Sequence, residues 1–514
     1  MNKILRKEFL ILLLCILIGL ALRFYTFDQK SLWMDEVHTY NDSRDSLRGQ
    51  FKFYKENPTY LHPPFFYVLT HLFYPFNKPE RDLRIIPLIF GTLSIPMIYF
   101  LSRLFSPGIA LPCALSLTFM AYHISLSQDG RSYTLLMFMG MAGLYFFIKY
   151  LTSIKKKYLF LVAFLFVLLF YTSYSSIPFI ALAQILWFYK VGDNEKNPPL
   201  SSFFVLNGLI FLCCIPWILF VVFHYNGQPI MDPLHTEAPG SFLNILYGVI
   251  HDWAPHPPLS IASLILLILF PLFSKSIRNA FILLGLFLLP LAGLYLFCIL
   301  SNTTHFITSR YFINFLPLFF ITLYLSLEAM ETKFEKLRRL MRLRLLFVIL
   351  FIASSLAILP FYYQAEKQDF RGLVTYLKGN LKNGDKIFVE TVGFIPGILH
   401  YFGEYPEGRH HLIPFWGVPE GIEYRKSFMY QNRKFIIYNS KTCCSQYVAD
   451  GTRLWIVTSK GVAKKIQGNS PSVLRGVFDG SFLNFSRFPT DATLYLFLWD
   501  PNFLEEKGID MPIE

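Results

Sequence analysis

Repeated apolar runs, separated by short basic connections, most constrain what this chain can fold into. A membrane-spanning helix needs about 20 predominantly apolar residues, and runs of that length recur as far as residue 363. The first run, residues 9–24, follows Lys3, Arg6 and Lys7, and no small-residue cleavage site comes after it. We therefore interpret it as a retained signal-anchor helix. The pattern as a whole predicts a polytopic α-helical membrane protein.

The composition supports this fold class and argues against a nucleic-acid partner. Hydrophobic residues make up 54% of the 514 residues and charged residues 16%, whereas soluble domains carry about 25% charged residues. The formal net charge is +13, but the basic residues cluster in the connections between apolar runs. That distribution is typical of topology signals on the cytoplasmic side. Basic residues interleaved with aromatics on a polar face, which nucleic-acid binding requires, are absent.

The apolar runs predict about eleven transmembrane helices. The range is ten to thirteen, because the run 158–189 is long enough for two short spans. With the amino terminus in the cytoplasm, the basic connections follow the even-numbered spans, as the positive-inside rule requires. The polar loops then share the outer face. After the first run, the predicted spans are 85–105, 108–126, 134–150, two within 158–189, 203–223, 259–273, 280–300, 311–327 and 345–363.

Two domains are predicted from a change of composition near residue 364. Residues 1–363, which include an outer loop at 26–84, form the transmembrane domain, and residues 364–514 form a soluble mixed α/β domain. Parity of the spans places this second domain outside the cytoplasm, and we assign no catalytic motif to it. Its predicted elements are a helix over 369–381 and strands over 386–390, 434–438, 453–458 and 493–499.

Two adjacent carboxylates, Asp35 and Glu36, stand in the outer loop just after the first span. A charged pair at the edge of a bilayer is costly unless it is paired or functional. We interpret both as the catalytic acidic centre of a membrane-embedded transferase. A solvated loop, with Trp33 and Tyr40 as interfacial anchors, is the alternative reading, because these aromatics are common at membrane interfaces.

Three more outer-face motifs contribute candidate residues. His62 precedes Pro63-Pro64, and the prolines would fix the backbone so that the imidazole has a defined direction. An arginine at headgroup depth favours an anionic partner such as a phosphate, although a lone one can also snorkel to the surface. The candidates for substrate and donor-phosphate binding are His62, Asp129, Arg131, Tyr133, Arg310 and Tyr311.

The cysteines indicate no metal framework. Five of the seven lie in apolar runs and are typical of small buried hydrophobes. Cys443 and Cys444 are neighbours in the polar tail, where a disulfide between them would be strained. Motifs of the type CxxC, HExxH or a glycine-rich phosphate loop do not occur. No metal ligand is assigned and no cofactor is predicted with certainty, although a divalent metal at the acidic cluster is left open.

The residues Ser31-Leu32-Trp33-Met34-Asp35-Glu36 resemble the first outer loop of the GT-C glycosyltransferases, the superfamily of protein O-mannosyltransferases and lipid A aminoarabinose transferases. The similarity continues through His62-Pro63-Pro64, the segment 80–87, the segment 127–133 and Arg310-Tyr311. It covers roughly the first 150 residues well and the rest by general layout. At His62-Pro63 the aminoarabinose transferases carry Glu-Lys, so the resemblance leaves the sugar open.

The resemblance implies an enzyme that transfers a sugar, with inversion, from a polyprenyl-phosphate donor at the outer face of the inner (plasma) membrane. Asp35 would be the general base with Glu36 beside it, and Arg131 and Arg310 would hold the donor phosphate. The implied partners are the donor, membrane lipids and a lipid, glycan or protein acceptor. A transporter or flippase of lipid-linked saccharides is the alternative, and a non-catalytic glycan-binding envelope protein is a third reading.

Overall fold

The structure is a computed structural model in which most of the chain can be described. The described residues are 3–44, 46–56, 62–189, 198–224, 241–301, 308–334, 342–404, 427–431, 434–440, 451–469, 472–481 and 492–502. The neighbouring cysteines 443 and 444, the basic connection 190–196 and most of the basic cluster 333–344 lie outside these residues.

Helices dominate the first 364 residues. Their apolar side chains face both a common core and the surface that a bilayer would cover, as expected where lipid replaces water. In chain order the helices of the bundle, apart from the short helices of the first loop, are α1 (Lys3–Phe24), α6 (Ile85–Arg103), α7 (Pro107–Phe119), α8 (Ala121–Ser127), α9 (Tyr133–Ser153), α10 (Lys156–Thr172), α11 (Ile177–Ala183), α12 (Leu200–His224), α13 (Phe242–Trp253), α14 (Pro257–Phe273), α15 (Ile277–Ser301), α16 (Leu316–Lys333) and α17 (Leu343–Gln364).

Six described helices are long and apolar enough to cross a membrane, and eight if each of two bent pairs counts as one span. The pair α7–α8 bends by 61° and the pair α13–α14 by 113°. Neither α1 nor α10 is among these eight. The membrane-protein fold is therefore confirmed, whereas the number of spans, about eleven, stays a prediction.

A buried arginine stabilises the break between α7 and α8. Arg23, near the end of α1, is fully buried and donates to the carbonyl oxygens of Leu117 at 2.8 Å and Thr118 at 3.1 Å. These carbonyls belong to the last turn of α7, where helix hydrogen bonding ends. His123 in α8 lies 2.9 Å from the same guanidinium. Arg23 thus holds the bend that carries the chain from α8 into the segment 128–132.

The long first loop contains short helices and 3₁₀ turns rather than an irregular connection. Its elements are α2 (Met34–Ser43), α3 (Leu47–Glu56), α4 (Phe65–Thr70), a 3₁₀ helix at His71–Phe73 and α5 (Pro79–Asp82). Further 3₁₀ helices are Tyr174–Ser176, Gln184–Phe188, Ser309–Phe315 and Val392–Phe394. The start of α2, the segment 128–132 and the 3₁₀ helix Ser309–Phe315 all lie at one end of the helix bundle.

A six-stranded mixed sheet follows the last long helix, in the order β2-β3-β1-β4-β6-β5. Strands β1, β3 and β4 pair in parallel, and the other pairings are antiparallel. The strands are β1 (Asp385–Val389), β2 (Ser427–Gln431), β3 (Phe435–Ser440), β4 (Leu454–Thr458), β5 (Val473–Phe478) and β6 (Leu494–Trp499), with helices α18 (Phe370–Asn380), α19 (Ile395–Phe402) and α20 (Lys460–Asn469).

Helices cover both faces of this sheet. Side chains alternate between the faces, so Ile387 packs with α18 and α19 while its neighbour Phe388 packs with Ala463 of α20. The apolar cluster around Ile387 also contains Phe170 and Trp217 from the membrane helices. The sheet region is therefore packed against the helix bundle.

The predicted secondary structure of this region is confirmed in four strands and one helix. Strands β1, β3, β4 and β6 and helix α18 lie within one or two residues of their predicted bounds. The sequence analysis missed β2 and β5. Strand β5 contains Arg475 and Gly476 and has a register irregularity there, which weakens the alternating apolar pattern.

Candidate active site

The two adjacent carboxylates point to different surroundings. Consecutive helical residues project about 100° apart, and Asp35 and Glu36 occupy the first turn of α2. Glu36 is fully buried, and Arg84 donates to its two oxygens at 2.7 Å and 2.6 Å. The amide of Gly130 donates to it at 2.7 Å. Burial alone would raise the pKa of Glu36, but Arg84 and then Lys367 lower it below its ordinary value.

Asp35 faces a different side of α2 and is only partly covered. Its side chain is 19% exposed, and Oδ2 lies 3.6 Å from Nη1 of Arg310. The distance permits attraction between the charges but exceeds that of a direct hydrogen bond. Asp35 therefore offers an accessible carboxylate beside a guanidinium, which Glu36 does not.

Arg310 lies at the start of the 3₁₀ helix Ser309–Phe315, between two aromatic rings. Its guanidinium carbon is 5.5 Å from the ring centre of Trp33 and 5.7 Å from that of Tyr311. Stacking of this kind orients an arginine without using its hydrogen-bond donors. Within the described residues the buried Nε–H of Arg310 has no hydrogen-bond partner. This guanidinium retains donor capacity for an anion.

Arg131 approaches Asp35 from the segment between α8 and α9. Its Nη1 donates to the backbone oxygen of Asp35 at 3.3 Å and to the Thr39 hydroxyl at 3.2 Å. Two histidines also lie near this guanidinium. Burial, then the positive charge of Arg131, lowers the pKa of His62 well below its ordinary value. Burial lowers the pKa of His38 to about 4, although Asp35 acts in the opposite direction.

The remaining predicted residues surround this centre. Asp129 accepts a hydrogen bond from the indole of Trp33 at 2.9 Å and lies 3.5 Å from the ammonium of Lys367. Burial raises the pKa of Asp129, and Lys367 opposes that shift. Tyr133 is buried and close enough to Arg310 to interact electrostatically. The structure thus brings all eight predicted residues into one region, in which the carboxylate of Asp35 and the guanidinium of Arg310 face each other.

The chemistry of the donor set offers little for a divalent metal. Across the part of the chain that the structure describes, no three His, Cys, Asp or Glu side chains are grouped so that they could hold a metal ion. Glu36 is engaged by Arg84, and Asp35 faces Arg310. Since these carboxylates already face cations, we derive no step through a metal.

Comparison with known proteins gives a consistent picture. The sequence profile described as dolichyl-phosphate-mannose-protein mannosyltransferase matches residues 61–220. The structure resembles that of ArnT from Cupriavidus metallidurans bound to undecaprenyl phosphate, with a TM-score of 0.54, 12% identity and coverage of 95% of this chain and 97% of that chain. The apo form of ArnT gives a TM-score of 0.55 at the same identity and coverage. The chain therefore shares the overall fold of ArnT, and its residues 61–220 match the mannosyltransferase profile.

A shorter match joins this chain to an uncharacterized protein of Aquifex aeolicus (strain VF5). The two are 35% identical over 106 residues, which is 19% of this chain and 28% of that relative. The match therefore spans less than a third of the relative's length. It carries no information about a substrate.

Sequence reasoning missed several residues that support the candidate site. Arg84 was part of the resemblance, but its pairing with Glu36 was not foreseen. Asp252 is buried and accepts a hydrogen bond from Ser309, the residue before Arg310, while Tyr122 is 2.7 Å from the same hydroxyl. The only sequence signal was a charged residue within or directly beside an apolar run.

Proposed function

We propose that this protein transfers a sugar from a polyprenyl-phosphate donor to an envelope acceptor, a glycolipid, glycan or protein, with inversion at the anomeric carbon. The observation that carries the proposal is the placement of the accessible carboxylate of Asp35 3.6 Å from Arg310, whose Nε–H has no partner within the described residues. The match to the mannosyltransferase profile and the likeness to ArnT support a lipid-linked donor in general. The family description names dolichyl-phosphate-mannose, and the similar ArnT structure contains undecaprenyl phosphate.

The proposed reaction is a single displacement. Asp35 accepts the proton of the acceptor hydroxyl while that oxygen forms a bond to the anomeric carbon. The bond between this carbon and the phosphate oxygen breaks, and its electron pair leaves with the polyprenyl phosphate. Arg310, with Arg131 nearby, stabilises the charge that develops on the phosphate. One displacement inverts the anomeric centre, so no second nucleophilic carboxylate is needed.

The other site residues have supporting roles in this proposal. The carboxylate oxygens of Glu36 already accept hydrogen bonds from Arg84 and Gly130. We therefore propose that Glu36 positions Asp35 and does not transfer a proton. His62 is held neutral by the depressed pKa described above, which suits it to hydrogen bonding in the pocket. Asp129 fixes Trp33, and Tyr133 and Tyr311 line the site around Arg310.

We further propose that transfer takes place at the outer face of the inner membrane. The two-domain division at residue 364 belongs to the same proposal, with the sheet region outside the cytoplasm. The positive-inside pattern of the basic connections supports this orientation. The candidate residues lie at one end of the bundle, together with the short helices of the first loop.

The test is transfer by purified protein in nanodiscs. Polyprenyl-phosphate sugars and envelope extract are supplied, and mass spectrometry follows the released polyprenyl phosphate and the glycosylated product. We expect Asp35→Asn to lower turnover by about 10²- to 10⁴-fold with unchanged membrane insertion, and Asp28→Asn, at an exposed loop carboxylate, to behave as wild type. Wild-type turnover in Asp35→Asn would refute the mechanism. Movement of intact donor across the bilayer without transfer would favour a flippase.

A further inference from the structure

The backbone just before Asp35 is held by side chains from beyond the last long helix. We name residues 29–34 the approach segment. The amide of Ser31 donates to Oε2 of Glu366 at 2.8 Å. The amide of Met34 donates to Oε1 of Gln368 at 3.2 Å. Both acceptors are more than 330 residues away in sequence and follow helix α17 directly.

The carbonyl side of the approach segment is held as well. The Gln29 carbonyl accepts a hydrogen bond from Arg371 at 2.9 Å. Arg84 donates to the carbonyls of Lys30 and Ser31 at 3.0 Å each, with the guanidinium that also pairs with Glu36. An irregular backbone with this many fixed amides and carbonyls has little freedom to change conformation. Helix α2, which carries Asp35, begins directly after this fixed backbone.

Lys367, which lies between the two acceptor residues in sequence, contacts the segment 128–132 on another side of the site. It is 4% exposed, and its ammonium donates to the carbonyl of Gln128 at 3.1 Å. It also lies 3.5 Å from Asp129, which accepts the indole N–H of Trp33. Trp33 in turn stacks on Arg310. Residues 366–368 therefore contact the approach segment directly, and Lys367 is linked to Arg310 through Asp129 and Trp33.

Attachment of the sheet region to the bundle does not depend on these bonds. Arg371 and Tyr401 both donate to Glu80 at 2.9 Å, and apolar side chains of the sheet region pack against Trp217. Loss of one acceptor at residue 366 or 368 would leave those contacts in place. The hydrogen bonds to Ser31 and Met34 act on the approach segment rather than on docking.

We propose that Glu366 and Gln368 are positioning residues of the transfer reaction, and that they fix the approach segment so that Asp35 stands opposite Arg310. This inference rests on the proposed function and adds that the region beyond α17 completes the active site. Small displacements matter because a shift of about 1 Å in a reacting group can cost about 10²-fold in rate.

The test compares variants that remove the acceptor with one that keeps it. We expect Glu366→Met and Gln368→Met to lower kcat by about 10- to 100-fold with an unchanged KM for the polyprenyl-phosphate sugar. Glu366→Gln retains an acceptor oxygen and is expected to recover most of the rate. Asn380→Ala is the control, because its exposed side chain donates to the carbonyl of Tyr376 within α18.

Amide hydrogen exchange supplies a readout that does not depend on activity. Exchange at Ser31 and Met34 should accelerate in the two Met variants, with an unchanged thermal midpoint. If the wild type is active and the Met variants keep the wild-type kcat, the inference is overturned and the proposed function stands. The same holds if the Met variants lose rate only in proportion to their thermal stability, with unchanged exchange at Ser31 and Met34. A wild type that transfers no sugar overturns the proposed function, even where exchange shows that the bonds form.

Discussion

At the scale of single residues, neighbouring carboxylates take different roles because of their partners. Glu36 is fully buried and bidentate with Arg84, and such pairs fix structure while leaving no free acceptor. Asp35 has 19% of its side chain exposed and a guanidinium at 3.6 Å. The sequence predicted both as catalytic, since adjacency in sequence does not reveal which face of a helix each residue occupies.

Arg310 is expected to contribute to donor binding through its phosphate. Removal of a charge-assisted hydrogen bond costs about 1.5–3 kcal/mol, so Arg310→Ala should raise the KM for the polyprenyl-phosphate sugar by about 10- to 100-fold. Arg310→Lys should raise this KM less than Arg310→Ala does, because the positive charge remains while the planar fork of guanidinium donors is lost. Steady-state kinetics with varied donor measure the effect.

Arg81→Ala provides the control for that prediction. Arg81 has a side chain that is 41% exposed and pairs with Asp82 rather than with the site. An Arg310→Ala variant with a wild-type donor KM would remove the phosphate-binding role.

At the scale of elements, the break between α7 and α8 gives the segment 128–132 its direction. The apolar run there was predicted as one span, 108–126, but the structure bends it by 61° at Met120. No proline or glycine at the bend signals it. The carbonyls released by the break are satisfied by Arg23, which comes from a different helix. A local pattern cannot reveal such a compensation.

Removal of Arg23 is expected to destabilise this corner of the site. Arg23→Leu would leave the carbonyls of Leu117 and Thr118 unpaired, at a cost of about 1–3 kcal/mol for each buried group. We expect a lower thermal midpoint in detergent and a reduced transfer rate. Arg6→Leu, at an exposed position in the same helix, should change neither. Equal midpoints for Arg23→Leu and wild type would contradict the role of this guanidinium.

At the scale of the whole molecule, the first loop and the region beyond α17 form one structure. Arg371 and Tyr401 meet Glu80, and Glu366 meets Ser31. The sequence analysis treated residues 364–514 as a soluble domain and assigned no catalytic motif to it. The fold instead places its first residues against the approach segment.

The proposed orientation predicts that the sheet region is accessible from outside the cell. In a background without the seven native cysteines, Gly379→Cys should react with a membrane-impermeant maleimide in intact spheroplasts. A side chain at Gly379 meets open space, whereas at Gly480 it would collide with the backbone of Ala492. Ser153→Cys, before the Lys155–Lys157 connection, should react only after lysis. The reverse labelling pattern would show that the protein has the opposite orientation in the membrane.

The sequence by itself determined the features that depend on local composition. Apolar length predicted the membrane helices, short apolar runs predicted four strands of the sheet region, and helical spacing predicted one helix there. Polar motifs on the outer-face loops supplied the eight candidate residues. Only the tertiary structure decided which carboxylate stays accessible, because the partners that bury Glu36 lie 48 and 94 residues away. It also decided what holds the approach segment, since the acceptor for Ser31 lies 335 residues away. Hydrogen bonds between such distant positions follow from helix packing, which no local pattern encodes.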